Sequence, residues 1–153
     1  ANYNCPGQVV ISGRDEGVAA VCDRVRELGG KAIRLRVSGA FHSPLMADAA
    51  ERLKPAIDAV SFGELSTTFM STVSSAPETV DRVPALLLEQ LTAPVRFTQA
   101  VQALVAGGVR TFVELGSGNV LAGLVRRIDD SVATISIGTA AEVHAAEARL
   151  ANA

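Results

Sequence analysis

The sequence predicts an α/β fold in which helices cover a parallel sheet, and three observations carry that prediction. Strand-like and helix-like segments alternate from residue 43 onward. The run Thr111-Phe112-Val113-Glu114-Leu115 is nearly continuous in apolar residues, as a strand covered on both faces would be. A length of 153 residues with 48% hydrophobic residues suits one ordinary domain with a sizeable core.

Taken in order, Gln8–Gly13 is a short β-branched run ended by glycine, the pattern of a strand, and Asp15–Gly29 sets Val18, Val21, Val25 and Leu28 at helical spacing. Gly29-Gly30 stops that helix. From Lys31 to Val37 the chain alternates, with Ile33, Leu35 and Val37 expected inside and Arg34 and Arg36 outside, so the first segment reads β-α-β. Ser43 is a natural N-cap and Pro44 is tolerated at a first helical position. They open a helix whose buried stripe is expected to be Leu45, Ala49, Leu53 and Ile57 and which ends near Val60. Thr67–Val73 reads as a strand, Ser74–Asp81 as a turn-rich loop, and Val83–Leu91 as a helix, with Pro94 as a break. A helix over Phe97–Ala106, stopped by Gly107-Gly108, leads to the strand Thr111–Leu115. Gly116-Ser117-Gly118-Asn119 turns the chain into a helix over Val120–Ile128; a strand over Val132–Ile137 and a helix over Thr139–Ala151 follow. No internal repeat or low-complexity segment interrupts this order.

Composition excludes several classes of function. Fourteen Lys and Arg stand against 16 Asp and Glu, a net charge of −2, whereas a chain that neutralises several phosphates carries a basic excess; nucleic acid is not an expected partner. No apolar run approaches the roughly 18–20 residues that span a bilayer, so no membrane partner is expected either. Cys5 and Cys22 form neither a Cys-x-x-Cys pair nor a disulfide framework, which fits a reducing, cytoplasmic setting and no metal site. With 4% aromatic residues and no Trp, a base-stacking platform is not expected. The first residues lack a basic region and an apolar stretch, so no secretory signal is expected, and a start at Ala1 is what a processed chain or a piece of a longer one would show.

His42 is the residue with a chemical position. It lies in Ser38-Gly39-Ala40-Phe41-His42-Ser43-Pro44, between a predicted strand and the start of a helix, where loops of α/β proteins carry function. The partial positive charge of a helix start disfavours an imidazolium, which leaves the ring able to accept a proton, as a general base must. A capping or surface histidine is the plainer reading of the same position, and it is the one taken for His144 in the terminal helix. The nucleophile elbow Gly-x-Ser-x-Gly is absent: Ser12, Ser38 and Ser117 each have a glycine nearby but none has glycine at both −2 and +2. Cys22 is expected in the core of the first helix and Cys5 in a loop beside Pro6.

Gly116–Gly123 follows a strand and opens a helix, as a phosphate-binding turn does, but its third glycine comes five residues after the second instead of three, and a tight turn is the simpler reading. Asp129-Asp130 reads as a solvated helix end. Lys31, Arg34 and Arg36 form a modest basic patch near His42.

Four blocks then stand in order. They are Asn2-Tyr3-Asn4-Cys5-Pro6-Gly7-Gln8-Val9-Val10-Ile11-Ser12-Gly13, Gly39-Ala40-Phe41-His42-Ser43-Pro44-Leu45-Met46, Gln90-Leu91-Thr92-Ala93-Pro94-Val95-Arg96-Phe97 and Glu114-Leu115-Gly116-Ser117-Gly118-Asn119-Val120-Leu121. Together they resemble the malonyl-CoA:acyl carrier protein transacylase family, over nearly the whole chain and over about the C-terminal half of that enzyme. The resemblance implies an α/β-hydrolase-like large domain with an inserted ferredoxin-like α+β subdomain. Residues 1–37 would be the latter part of the small subdomain and 38–153 the C-terminal part of the large one.

It further implies malonyl transfer from coenzyme A, through an acyl-serine, to the phosphopantetheine thiol of acyl carrier protein in fatty acid biosynthesis, with no cofactor beyond the substrate malonyl-CoA. The serine elbow, the arginine that pairs with the malonyl carboxylate and part of the oxyanion site would come from the N-terminal half of the enzyme, a partner without which this chain is expected to be inactive. His42 resembles the catalytic base and Gln90 the residue whose main-chain carbonyl orients it. Phe41 matches the selectivity position, and Asn2, Asn4 and Val120 match positions near the pocket. Lys31, Arg34 and Arg36 would attract the acidic carrier protein. Two other readings stay open: an acyltransferase domain of a modular polyketide synthase, and a non-catalytic α/β module binding a nucleotide at Gly116–Gly123.

Overall fold

The computed structural model of the chain describes residues 1–146; the far end of the expected terminal helix, 147–151, and the side chain of His144 lie outside the described part. Strand β1, Asn2–Cys5, pairs antiparallel with β2, Gln8–Val10. Pro6-Gly7 makes the turn, with Gly7 at φ 75°, a left-handed conformation that glycine adopts without steric penalty. The sequence pattern predicts β2 but not β1, and Cys5, expected in a loop, is instead the buried last residue of β1.

Helix α1, Asp15–Glu27, carries Asp15 and Glu16 in its first turn and Arg24 and Arg26 in its last, the arrangement that complements the helix dipole. It buries none of its residues: Val21 and Leu28 of the expected apolar stripe are exposed and Cys22 is only half-buried. The strand expected over Lys31–Val37 does not form. A strand exists only where neighbouring backbone completes its hydrogen bonds, and among the described residues β1 and β2 pair with each other and nothing pairs with 31–37. Ile33 and Val37, expected inside, are 67% and 69% exposed. The first segment is a hairpin, a helix and a stretch without regular structure, not β-α-β.

Ser43 caps as expected, its Oγ accepting from the Leu45 N–H at 3.3 Å, but what it opens is a 3-10 turn, Pro44–Met46, that runs on into α2, Ala47–Asp58. Helix α2 packs on α3, Val83–Thr92, so only one flank of its expected stripe is covered; Leu45 and Leu53 stay exposed. Between them lies a second hairpin, β3, Phe69–Ser71, paired antiparallel with β4, Ala76–Glu78, followed by a 3-10 turn over Val80–Arg82. β4 replaces part of the loop expected at Ser74–Asp81. Its Pro77 has no N–H to give, which a two-stranded ribbon tolerates because each strand keeps an unpaired edge.

The last third follows the expected alternation: α4, Phe97–Ala106; β5, Thr111–Leu115; α5, Val120–Ile128; β6, Ala133–Ile137; and α6, Ala140–His144. β5 and β6 are parallel, in register from Thr111 opposite Ala133 to Leu115 opposite Ile137. Val101, Val125 and Val132 form the buried centre, with Phe97, Val105, Phe112 and Ile128 packed on it, so the core lies between α4, α5 and this pair of strands. β5 is covered on one face only; Leu115 is 76% exposed.

Candidate active site

The loop that carries His42 is held by main-chain bonds to the end of α3. The His42 N–H donates to the Leu91 carbonyl at 2.9 Å. Its ring Nδ1 lies 2.7 Å from the Gln90 carbonyl and 3.2 Å from that of Ala93. Carbonyl oxygens only accept, so Nδ1 carries a proton, and the tautomer this selects has its lone pair on Nε2. Ala93 ends α3 in an extended conformation, φ −86° and ψ 150°, the region to which a following proline confines its predecessor; Pro94 thereby aims the second carbonyl.

His42 itself sits at φ 61°, in the left-handed region. For a residue with a side chain this conformation costs on the order of 1–3 kcal/mol and persists only where surrounding bonds over-determine it. Here they are several. Ser43 Oγ donates to the Ala40 carbonyl at 2.6 Å, and Ser12 Oγ donates to the Phe41 carbonyl at 2.6 Å. Nothing in the residue types announces this strain, since no glycine stands at position 42.

The half-buried imidazole lines a broad cleft of about 1150 Å³. Asn2, Asn4 and Phe41 line the same cleft, as do Lys31 and Arg34, while Val120, Gln90 and Arg36 are not among its lining. Gln90 reaches His42 through its carbonyl alone; its side chain donates to the Leu87 carbonyl at 3.3 Å. Val120 stands exposed at the start of α5. Arg34 is paired with Asp15, two exposed side chains, so the basic patch is partly neutralised. β1 is laced to the segment after Ala93: Tyr3 N–H donates to the Val95 carbonyl at 2.9 Å, Val95 N–H to that of Ala1 at 2.7 Å, and Thr98 Oγ1 to that of Tyr3 at 3.0 Å. Asn2 and Asn4 are thereby fixed relative to the carbonyls that hold His42.

Two supporting residues escaped sequence reasoning: Arg127 because its partners are distant along the chain, and Glu114 because the turn that brings a strand carboxylate onto the next helix start is not stated by residue type. Arg127 of α5 donates from Nη1 to Gln8 Oε1 at 2.7 Å and from Nη2 to the Pro6 carbonyl at 3.1 Å, fastening the β1–β2 turn. Glu114 of β5 turns its carboxylate onto the start of α5, accepting from Leu121 N–H at 3.1 Å and Ala122 N–H at 2.8 Å. The amides that a phosphate would need at Gly116–Gly123 therefore already serve a negative charge, which counts against a nucleotide there. Gly116 and Gly118, at φ 128° and 92°, make the tight turn instead. The adjacent pair Asp129-Asp130 is not an acid–base couple: Asp129 accepts from the Ser131 hydroxyl at 2.6 Å and N–H at 2.9 Å, and these bonds hold its carboxyl below the usual range. Among the described residues no group of three or more His, Cys, Asp or Glu could hold a metal ion, and no helix is long and apolar enough to cross a membrane.

The family model described as acyl transferase domain matches residues 1–147. The malonyl CoA-acyl carrier protein transacylase of Bacillus subtilis is 45% identical over 140 residues, which are 90% of this chain and 44% of that protein. The crystal structure of the transacylase of the same name from Clostridium perfringens superposes with a TM-score of 0.92 at 33% identity, covering 99% of this chain and 48% of that one. A malonyl-transacylase solved in complex with its type II polyketide synthase acyl-carrier protein gives a TM-score of 0.90 at 34% identity, over 97% of this chain and 49% of that one. The chain thus spans about half the length of the curated relatives it matches. With a family model covering nearly its whole length and relatives of one kind in both sequence and structure, the chain belongs to the acyl transferase domain family.

Proposed function

We propose that this chain is the base-bearing part of a malonyl-CoA:acyl carrier protein transacylase, acting in the cytoplasm in fatty acid biosynthesis. The observation that carries the reading is the double carbonyl tether on His42 Nδ1, which leaves Nε2 as the proton acceptor of a residue that lines the cleft. The names and fit of the relatives support it.

In this reading a serine from the part of the enzyme outside this chain loses its hydroxyl proton to His42 Nε2 as its oxygen attacks the malonyl thioester. The carbon–sulfur bond breaks, and coenzyme A leaves as a thiol with the proton that His42 returns. The pantetheine thiol of acyl carrier protein then gives its proton to the same nitrogen, attacks the serine ester, and the proton goes back to the serine oxygen. Atoms balance at both steps, and no cofactor is required. A main-chain carbonyl is a sufficient orienting partner, because it fixes the tautomer without adding a second titrating group.

The remaining assignments follow the same resemblance. Phe41 would fill the space an α-methyl needs and so favour malonyl over methylmalonyl, a discrimination of about 1–3 kcal/mol for a methyl-sized difference. Asn2, Asn4 and Val120 would border the substrate, and Lys31, Arg34 and Arg36 would face acyl carrier protein. Residues 1–37 would complete a ferredoxin-like subdomain and 38–153 an α/β-hydrolase-like one. The exposed, unpaired stretch 31–37 supports that division, since its sequence has the alternation of a strand that lacks its neighbours.

The test is His42→Ala in the complete enzyme, with the serine-bearing part present. Loss of a general base lowers malonyl transfer by about 10²–10⁴-fold; a rate near the parental one rejects the reading.

A further inference from the structure

We infer that Ser12 is a positioning residue that sets the angle of both Phe41 and His42 through the peptide that joins them. The inference deepens the proposed function and rests on His42 being the base. One peptide unit, the carbonyl of Phe41 and the N–H of His42, is gripped at both ends: Ser12 Oγ donates to the carbonyl at 2.6 Å, and the N–H donates to the Leu91 carbonyl at 2.9 Å. The two dihedrals that flank this unit, ψ of Phe41 and φ of His42, aim the phenyl ring and the imidazole. The second of them is the left-handed 61°. A peptide plane turns as a rigid body, so freeing its oxygen lets φ of His42 relax toward the populated regions and carries Nε2 away from its place.

Ser12 is suited to the task by where it comes from. It follows β2, whose hairpin is laced to the 95–98 segment and fastened to α5 by Arg127. The carbonyl of Phe41 is thus referred to the segment after β2 and the N–H of His42 to the end of α3, so two anchors define the plane. Ser12 also lines the cleft, while its hydroxyl proton is committed to a carbonyl. It is therefore a poor nucleophile and a good strut. Gly39 completes the setting: a Cβ there would lie 3.1 Å from Cε2 of Phe41, so the ring rests against bare backbone.

The experiment compares Ser12→Ala, Ser12→Thr and His42→Ala in the complete enzyme. It reads kcat and KM for malonyl transfer and the 15N signals of the His42 imidazole, identified by their loss in His42→Ala. Ser12→Ala is expected to lower kcat about 2- to 10-fold, the rate equivalent of one net hydrogen bond, with KM within about twofold. Its imidazole signals are expected to move from the pattern of a single Nδ1–H tautomer toward an average of the two. Ser12→Thr, which keeps the hydroxyl, is expected to restore both readouts. Parental kcat together with parental imidazole signals in Ser12→Ala overturns the inference, and so does a Thr variant as impaired as the Ala variant. If the signals move while both Ser12→Ala and His42→Ala keep the parental rate, the positioning role stands and the assignment of His42 as base falls.

Discussion

Removing the carboxylate of Glu114 should loosen α5 at its start by an amount that the hydrogen bonds fix. Every helix begins with unsatisfied N–H groups; the cap residue of α5, Asn119, satisfies none with its side chain. Glu114 supplies what is lacking from the neighbouring strand, one oxygen to Leu121 at 3.1 Å and the other to Ala122 at 2.8 Å. Loss of a side-chain cap costs about 0.5–2 kcal/mol, and loss of a negative charge at a helix start a further 0.3–1 kcal/mol or so. Glu114→Ala is therefore expected to destabilise the chain by about 1–3 kcal/mol, and Glu114→Gln, which keeps one acceptor and no charge, by about half of that. Urea unfolding followed by far-ultraviolet circular dichroism reads the difference. With a slope of about 1–3 kcal/mol per molar, the Ala variant should unfold at a midpoint lower by roughly 1 M, with the slope unchanged. Parental midpoints in both variants refute the reasoning. Binding of inorganic pyrophosphate at Gly116–Gly123 by the parental chain would refute it equally, because the carboxylate is held to occupy that place.

Gly138→Ala would set a Cβ 2.6 Å from the Gly116 carbonyl oxygen, a backbone atom that cannot swing aside, so a loss of about 1–3 kcal/mol is expected from the same urea titration and an unchanged midpoint contradicts it. Ser131→Ala removes the hydroxyl that chiefly lowers the Asp129 carboxyl, which should then titrate closer to the ordinary value in a carbon-13 titration. Because the folded value is depressed, the stabilisation is present above the unfolded carboxyl's value of about 3.9 and is lost as pH falls through the folded one. The variant's deficit should accordingly appear at neutral pH and vanish in strong acid; a deficit that persists there rejects the assignment. Reversing the charge of Lys31 and Arg36 in the complete enzyme should slow transfer to acyl carrier protein and leave hydrolysis of the coenzyme A thioester alone; equal transfer rates remove the carrier-protein patch.

What could be read from the sequence was what depends on near neighbours. The bounds of α4, β5 and α5 followed from apolar spacing and flanking glycines, because those elements bury a face against one another within the chain. Lys31–Val37 has an equally clean alternation and failed, since a strand also needs a partner edge, and no pattern in seven residues states whether one is at hand. β1 and β4 were missed for the opposite reason: a three- or four-residue strand beside a proline has too little period to register. At the site, His42 stood out by type and place, and the Gln90 carbonyl came only through family resemblance. The left-handed backbone of His42, the Ala93 carbonyl and the strut from Ser12 are matters of approach between distant segments, and the cap from Glu114 depends on how the Gly116–Asn119 turn folds back on its own strand.

That the imidazole is tied to two carbonyls and, among the described residues, to no side chain has a consequence for how such a site can change over generations. Codon changes at 90 or 93 leave both carbonyl oxygens in the chain, so a saturation library should score both positions as more permissive than 42 despite their closeness to it. The vulnerable features are the length of chain between 90 and 94 and the proline that ends it, which together set where the two oxygens lie. A single-codon deletion in that stretch would move both oxygens at once, whereas among exchanges of side chains only those at Pro94 should approach its effect, so a search for tolerated substitutions would mark the proline and leave the chain length unmarked.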